Sequence, residues 1–157
     1  RPRSGANHWI NEAFCEAISC HSLKVMGKEW KTHPPYGNWK SYAKHLDSYA
    51  DRILDPKKAK PEGMEFAAWF EKNEKALRLG KRHPKYDLYK YVAYQFYQVI
   101  QKDPNQLVAL VYLNEGLESQ ALSTRDYLSR WKGALPREHW SFADQISSLL
   151  GVTLGDL

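Results

Sequence analysis

Cysteine is scarce: Cys15 and Cys20 are the two in 157 residues. Five positions apart on one helix they point to different sides, which is poor geometry for a bond between them. Their spacing matches no common zinc pattern either, so they are read as two thiols, at least partly buried. Long apolar runs are missing as well, and nothing approaches the roughly 20 residues that a membrane-spanning helix needs. The nine glycines never fall into G-x-G-x-x-G or a phosphate-cradling loop, and no G-x-S-x-G elbow occurs, which removes dinucleotide, P-loop and serine-hydrolase templates. A signal-peptide apolar region is lacking too. The chain starts at Arg1 rather than Met, which fits a processed protein or a part of a longer one.

What is present is ample material for a core. Hydrophobic residues make up 43% and aromatics 13% of the chain, enough to set disorder aside for one domain spanning residues 1–157. Six Trp and ten Tyr predict an aromatic rather than an aliphatic interior. The net charge of +5 comes from 23 basic residues spread along the sequence. Their densest runs, Lys57-Lys58-Ala59-Lys60 and Lys72 to Lys85, lack the punctuation of nucleic-acid motifs. They read as a basic solvated face, compatible with weak attraction to acidic partners, and no nucleic-acid partner is expected.

Apolar spacing predicts helices throughout. The first runs from an Asn7 cap to about Met26, with Gly27 as its stop. Ile10, Ala13, Phe14, Ala17, Ile18, His21 and Val25 form its core face. The Thr32 to Gly37 stretch, with Pro34-Pro35, is a stiff loop that Trp30, Tyr36 and Trp39 are expected to pin to the body. Asn38 caps a second helix carrying Trp39, Tyr42, Ala43, Leu46, Tyr49, Ala50 and Ile53 inward. A Lys- and Pro-rich connection, Pro56 to Gly63, precedes a third helix over Met64–Leu79 with Phe66, Trp69, Phe70 and Leu77 inward and Gly80 at its end. Tyr86–Gln101 is apolar nearly all round and belongs in the middle of a bundle. Asp103-Pro104-Asn105 opens another helix holding Leu107, Val108, Leu110, Val111 and Leu113. Ser123 or Thr124 caps a short helix with Tyr127, Leu128 and Trp131. Pro136 opens the last, with Trp140, Ala143, Ile146, Leu149 and Leu150 inward and Gly151 as stop. The expected fold is an all-α, single-domain bundle of about seven helices. Tyr91 to Leu113 has the helix–Asp-Pro–helix form of a tetratricopeptide unit, but no second copy follows at a period of about 34 residues, so a repeat array is set aside.

The stretch Asn7 to Glu16 carries the functional reading. His8, Glu12 and Glu16 recur every fourth residue and stack along one helix face, opposite the apolar one. A carboxylate on a rigid helix at the edge of a core suits a metal; it equally suits a solvated surface, where charged residues are usually found. His8 one turn before Glu12 is an ordinary helical contact. His21 reads as a core histidine, and His33, His45, His83 and His139 as surface. Cys20 and His21 point about 100° apart and make no nucleophile–base pair.

Trp9-Ile10-Asn11-Glu12-Ala13-Phe14 resembles the W-x-N-E-G-F element of the gluzincin metallopeptidases, the aminopeptidase-like zinc enzymes, with Ala13 where Gly is commoner. In that family the element lies on a helix downstream of H-E-x-x-H. The resemblance implies that Glu12 is a zinc ligand and that Trp9 and Asn11 support the metal site by holding its helix. Zinc accepts a carboxylate oxygen among its few protein ligands. H-E-x-x-H itself occurs nowhere in the sequence. The resemblance therefore implies the C-terminal helical part of such a protein, with zinc as cofactor only within a longer chain and no activity alone. Looser similarity of style extends to the Pro-Tyr-Gly-Asn-Trp loop, Val111 to Asn114 and the Leu-Leu-Gly-Val near the end.

The alternative is a non-catalytic helical interaction module for a peptide or protein, with Trp30, Tyr36 and Trp39 as a candidate groove. The two readings differ in what should surround Glu12. The first expects Glu12 beside an open, incompletely walled cleft, with exposed apolar surface where the preceding half would pack; the second expects a self-contained core, Glu12 in open solvent, and an exposed aromatic or basic patch as the contact surface.

Overall fold

The first helix, α1, runs from His8 to Glu29 in the computed structural model, which describes residues 6–55, 62–79, 86–114 and 122–155, without the side chains at 86 and 87. A 3-10 helix over Gly37–Tyr42 leads into α2, Ala43–Ile53; α3 covers Phe66–Arg78 and α4 covers Tyr86–Lys102. A long 3-10 helix, Pro104–Tyr112, is followed by α5, Thr124–Ala134, a 3-10 turn over Arg137–His139, and α6, Trp140–Leu149. No strand occurs among the described residues, so the all-α bundle predicted by spacing is the fold. The six α-helices and the long 3-10 helix are the seven substantial helices among the described residues.

The core is built by aromatic rings on α4 and its neighbours. Tyr91, Val92, Ala93, Phe96, Tyr97, Val99 and Ile100 of α4 are all buried, which makes it the central element its apolar sequence predicts. Phe14 of α1 stacks on Phe96 with ring centroids 4.3 Å apart and meets the rings of Trp131 at 5.9 Å and Phe142 at 6.3 Å. Phe66, Trp69 and Tyr91 form a second three-ring cluster, with centroids 4.8 to 5.5 Å apart. Ring pairs of this kind add to the gain from apolar area alone. The α3 and α5 core positions named from the sequence, Phe66, Trp69, Phe70, Leu77, Tyr127, Leu128 and Trp131, are all buried.

Several local readings are corrected. Gly27 does not stop α1 but lies buried inside it, because α2 crosses there: a Cβ at Gly27 would stand 3.0 Å from the Ala43 carbonyl oxygen and 3.2 Å from Asp47. The buried seam of α1 runs through Ile10, Ala13, Ala17 and Cys20 at steps of three and four and resumes seven residues on at Gly27, which leaves Val25 exposed. Asn7 holds the N-cap position without capping, its side chain being taken up elsewhere. Asn38 lies within the 3-10 helix, and α2 seals its contact with Ala43 and Ala50, so Trp39, Tyr42 and Tyr49 are exposed. The helix after Asp103 is 3-10 rather than α. At three residues per turn it buries Ala109 and turns Val108 and Val111 outward, Val111 to 74% exposure.

Other boundaries hold. The Ser123 hydroxyl accepts from the Asp126 amide at 3.0 Å and caps α5. Gly151 ends α6 at a positive φ of 69°. Phe142, buried beside Trp131, joins the inward residues of α6, while Trp140 and Leu149 are partly buried. Gly80 and most of the Pro56–Gly63 connection lie outside the described residues.

Phe14→Ala should therefore cost about 3–5 kcal/mol in a denaturant titration, whereas Val111→Ala should stay within about 0.5 kcal/mol. Gly27→Val should destabilise by about 1–3 kcal/mol by driving α2 off α1.

Candidate functional site

The N-terminal end of α1 is clamped by a polar joint. The Arg78 guanidinium at the end of α3 donates to Asn7 Oδ1 at 3.0 Å and to the Leu122 carbonyl at 2.9 Å. Asn7 Nδ2 donates to the same carbonyl at 2.8 Å. The Thr124 hydroxyl, at the start of α5, donates to Glu74 Oε1 at 2.5 Å. Three helix ends thus meet on one guanidinium, and the first turn of α1 is held where a side chain on it has a defined direction.

On that turn Trp9, Ile10, Ala13 and Phe14 face inward and are buried. Trp9 packs on Phe70 with ring centroids 5.3 Å apart, its indole nitrogen buried without a hydrogen-bond partner. Glu12 points the other way. Its side chain is 54% exposed, and its Oε1 lies 2.9 Å from His8 Nε2, whose ring is 52% exposed. Tyr89 of α4 lies near enough that, after burial, the Glu12 charge is the next cause raising its pKa. One turn further along α1, a buried oxygen of Glu16 has no hydrogen-bond partner.

Asn11 ties this turn to a segment more than a hundred residues away. It exchanges two hydrogen bonds with Asn114, at 3.2 and 3.3 Å, and Asn114 also accepts from the Tyr127 hydroxyl at 3.2 Å. Burial pushes the Tyr127 phenol up to about 12, against a smaller opposing effect of its hydrogen bond with Asn11. Val108, Val111 and Asn114 fall at steps of three, the period of the 3-10 helix that carries the two valines. Val108 and Val111 give that helix an exposed apolar edge. Asn114 and Tyr89 are the residues here that the spacing argument did not assign, since their sequence separation from Glu12 leaves no periodic signal.

The aromatic residues named as a groove sit at the opposite end of α1. Trp30 is the C-cap residue of α1, half-buried; its ring lies 5.6 Å from Trp39, which meets Tyr36 at 5.0 Å and Tyr42 at 6.5 Å. Trp30, Tyr36 and Trp39 do come together, with Tyr42 added. They pack on one another, and no residue of the Gly37–Tyr42 helix is buried. Along the 1.5 Å rise of an α-helix, Glu12 and Trp30 stand roughly 27 Å apart.

Between these ends Lys24 bridges α1 to α2, reaching Asp47 at 3.0 Å and Asp51 at 2.5 Å. Burial by itself would lower the Lys24 pKa, but hydrogen bonds to the two carboxylates outweigh it and leave the pKa raised. Cys20, one turn earlier, is fully buried; burial first and the Glu16 charge second push its thiol up to about 11. Cys15 is exposed.

The chemistry open to this arrangement follows from ligand count. A catalytic zinc takes three protein ligands and a structural one four. His8 and Glu12 are two donors, and no group of three or more His, Cys, Asp or Glu side chains occurs among the described residues. The described residues do not make a complete zinc site. No helix is long and apolar enough to cross a membrane among the described residues. No family model, curated protein or solved structure matches the chain.

Cys20, Tyr127 and Lys24 all hold their protons more tightly when folded, so each contributes stability in full below its unfolded pKa and loses it as pH rises through the folded one. For Cys20 that window is pH 9 to about 11. Urea midpoints measured at pH 8, 9.5 and 11 should fall steadily, and Cys20→Ala should flatten the part of the fall between pH 9 and 11.

Proposed function

We propose that this chain is the C-terminal helical region of a zinc-metallopeptidase-like protein of the gluzincin type, in which Glu12 supplies one zinc ligand. The histidine pair and the general-base glutamate of H-E-x-x-H come from a preceding part of the protein. One observation carries the reading. The Glu12 carboxylate is presented outward, 54% exposed, from a helix turn whose other side is sealed by Trp9, Ala13 and Phe14.

Each residue of the motif has a physical task in this reading. Trp9 packs on Phe70 and sets the rotation of α1. Asn11, locked to Asn114, fixes the first turn against sliding along its axis. Glu12 is thereby held at the surface with an oxygen free of the core, as a ligand approached from outside must be. His8 occupies that oxygen in this chain and gives it up when a metal is offered. The Val108–Val111 edge is the apolar surface against which the preceding part packs. Zinc, when bound, would polarise a peptide carbonyl and activate a water. Alone, the chain is inactive.

The test is metal content. The protein produced with its preceding sequence should hold one zinc per molecule by plasma emission spectrometry. Glu12→Gln in that protein should weaken zinc at least about 100-fold, more than the loss of an outer-shell partner does. A zinc-free longer protein, or a preceding sequence without H-E-x-x-H, defeats the reading and leaves the helical interaction module in its place.

A further inference from the structure

We propose that the aromatic knob between α1 and α2 is an interfacial anchor that seats the protein on an anionic lipid surface. The proposal is independent of whether Glu12 meets a metal, since the knob lies at the far end of α1.

The composition of the knob is the first argument. Trp30, Tyr36, Trp39 and Tyr42 form one chain of ring contacts, with Tyr36 63% and Tyr42 55% exposed. These are amphipathic rings, each with an apolar body and a polar tip, the residue types enriched where hydrocarbon meets headgroups. No hydrogen bond among the described residues engages the indole nitrogens of Trp30 and Trp39 or the hydroxyls of Tyr36 and Tyr42, so their tips are available to headgroups and interfacial water.

Charge is the second. Lys28, Lys31, Lys40 and Lys44 lie on or beside the same segment, all exposed, and none joins an ion pair among the described residues. Against them stands one carboxylate in residues 28–44, Glu29, and His33 lies 3.3 Å from it. Long lysine stems can lie along apolar surface while the ammonium reaches anionic headgroups. Aromatic rings interleaved with unpaired cations complement an acidic interface in both of its properties.

Shape selects among acidic partners. The Gly37–Tyr42 helix buries none of its residues, and the space a Gly37 side chain would take is empty to 4 Å. The rings close on each other rather than lining a slot. A projecting knob suits penetration of a deformable lipid interface; an extended acidic peptide would need a groove to lie in. Pro34-Pro35 stiffens the loop, so little order need be gained on docking.

Vesicle co-sedimentation of the full chain tests this. Wild type should pellet with phosphatidylcholine vesicles containing 30% phosphatidylglycerol and stay in solution with phosphatidylcholine alone. Lys40→Glu with Lys44→Glu should lower partitioning at least about 25-fold, from about fivefold per lysine. Trp39→Ala with Tyr42→Ala should lower it at least about tenfold, with an unchanged helical circular-dichroism melt because these rings sit outside the core. Failure of the wild type to pellet with the anionic vesicles overturns the proposal, as does pelleting of either double variant at the wild-type level. So does binding to a poly-glutamate peptide without vesicle binding, which would assign the knob to an acidic protein partner.

Discussion

Arg78 carries a charge that would be costly to leave without partners, and its donors are spent on an asparagine, a carbonyl and a threonine hydroxyl from two other segments. This joint is where the termini of α1, α3 and α5 are brought into register. Hydrophobic contact alone would hold α1 against α4 but would tolerate small rotations, because apolar packing has little directional preference. The hydrogen bonds from Arg78 and Asn7 to a single carbonyl remove that freedom at one end, and the Phe14–Phe96 stack removes it about two turns later. The orientation of Glu12 is a consequence of those two constraints.

How much of this could be read beforehand depended on whether the information was local. The helices α3 and α5 show in the chain because their ring-bearing positions repeat at three and four and their partners are ordinary. Glu12 with Trp9 and Asn11 could be set on one helix turn for the same reason. Gly27 could not be resolved, since a glycine that ends a helix and one that admits a crossing helix look alike until the second helix is placed. Trp39, Tyr42 and Tyr49 fit an inward face by spacing yet are exposed, because the spacing of a face says nothing about whether an element exists to cover it. The 3-10 path after Asp103 has no signal in the spacing, because Leu107, Val108, Leu110 and Val111 suit an α-helix as well; it buries Ala109, whose carbonyl accepts the Trp131 indole hydrogen at 2.9 Å. Asn114 had no local signature at all.

The two ends of α1 are chemically opposite. One presents a carboxylate and a histidine; the other presents lysines outside any ion pair among the described residues, set among aromatic rings. Between them the helix is held by small residues and by Lys24, which spans to two aspartates of α2. An arrangement of this sort keeps the two surfaces at opposite ends of one helix. A single rigid rod fixes the distance between them.

The closeness of α2 to Gly27 has a mechanical meaning. With the Ala43 carbonyl oxygen and Asp47 standing 3.0 to 3.2 Å from where a methyl would sit, the crossing has little slack. The aromatic segment enters α2 directly through Tyr42, so it inherits that rigidity rather than hanging from a hinge. Force or torque applied at those rings would travel into α1 as a whole-body motion, and the far terminus would tilt by the same angle.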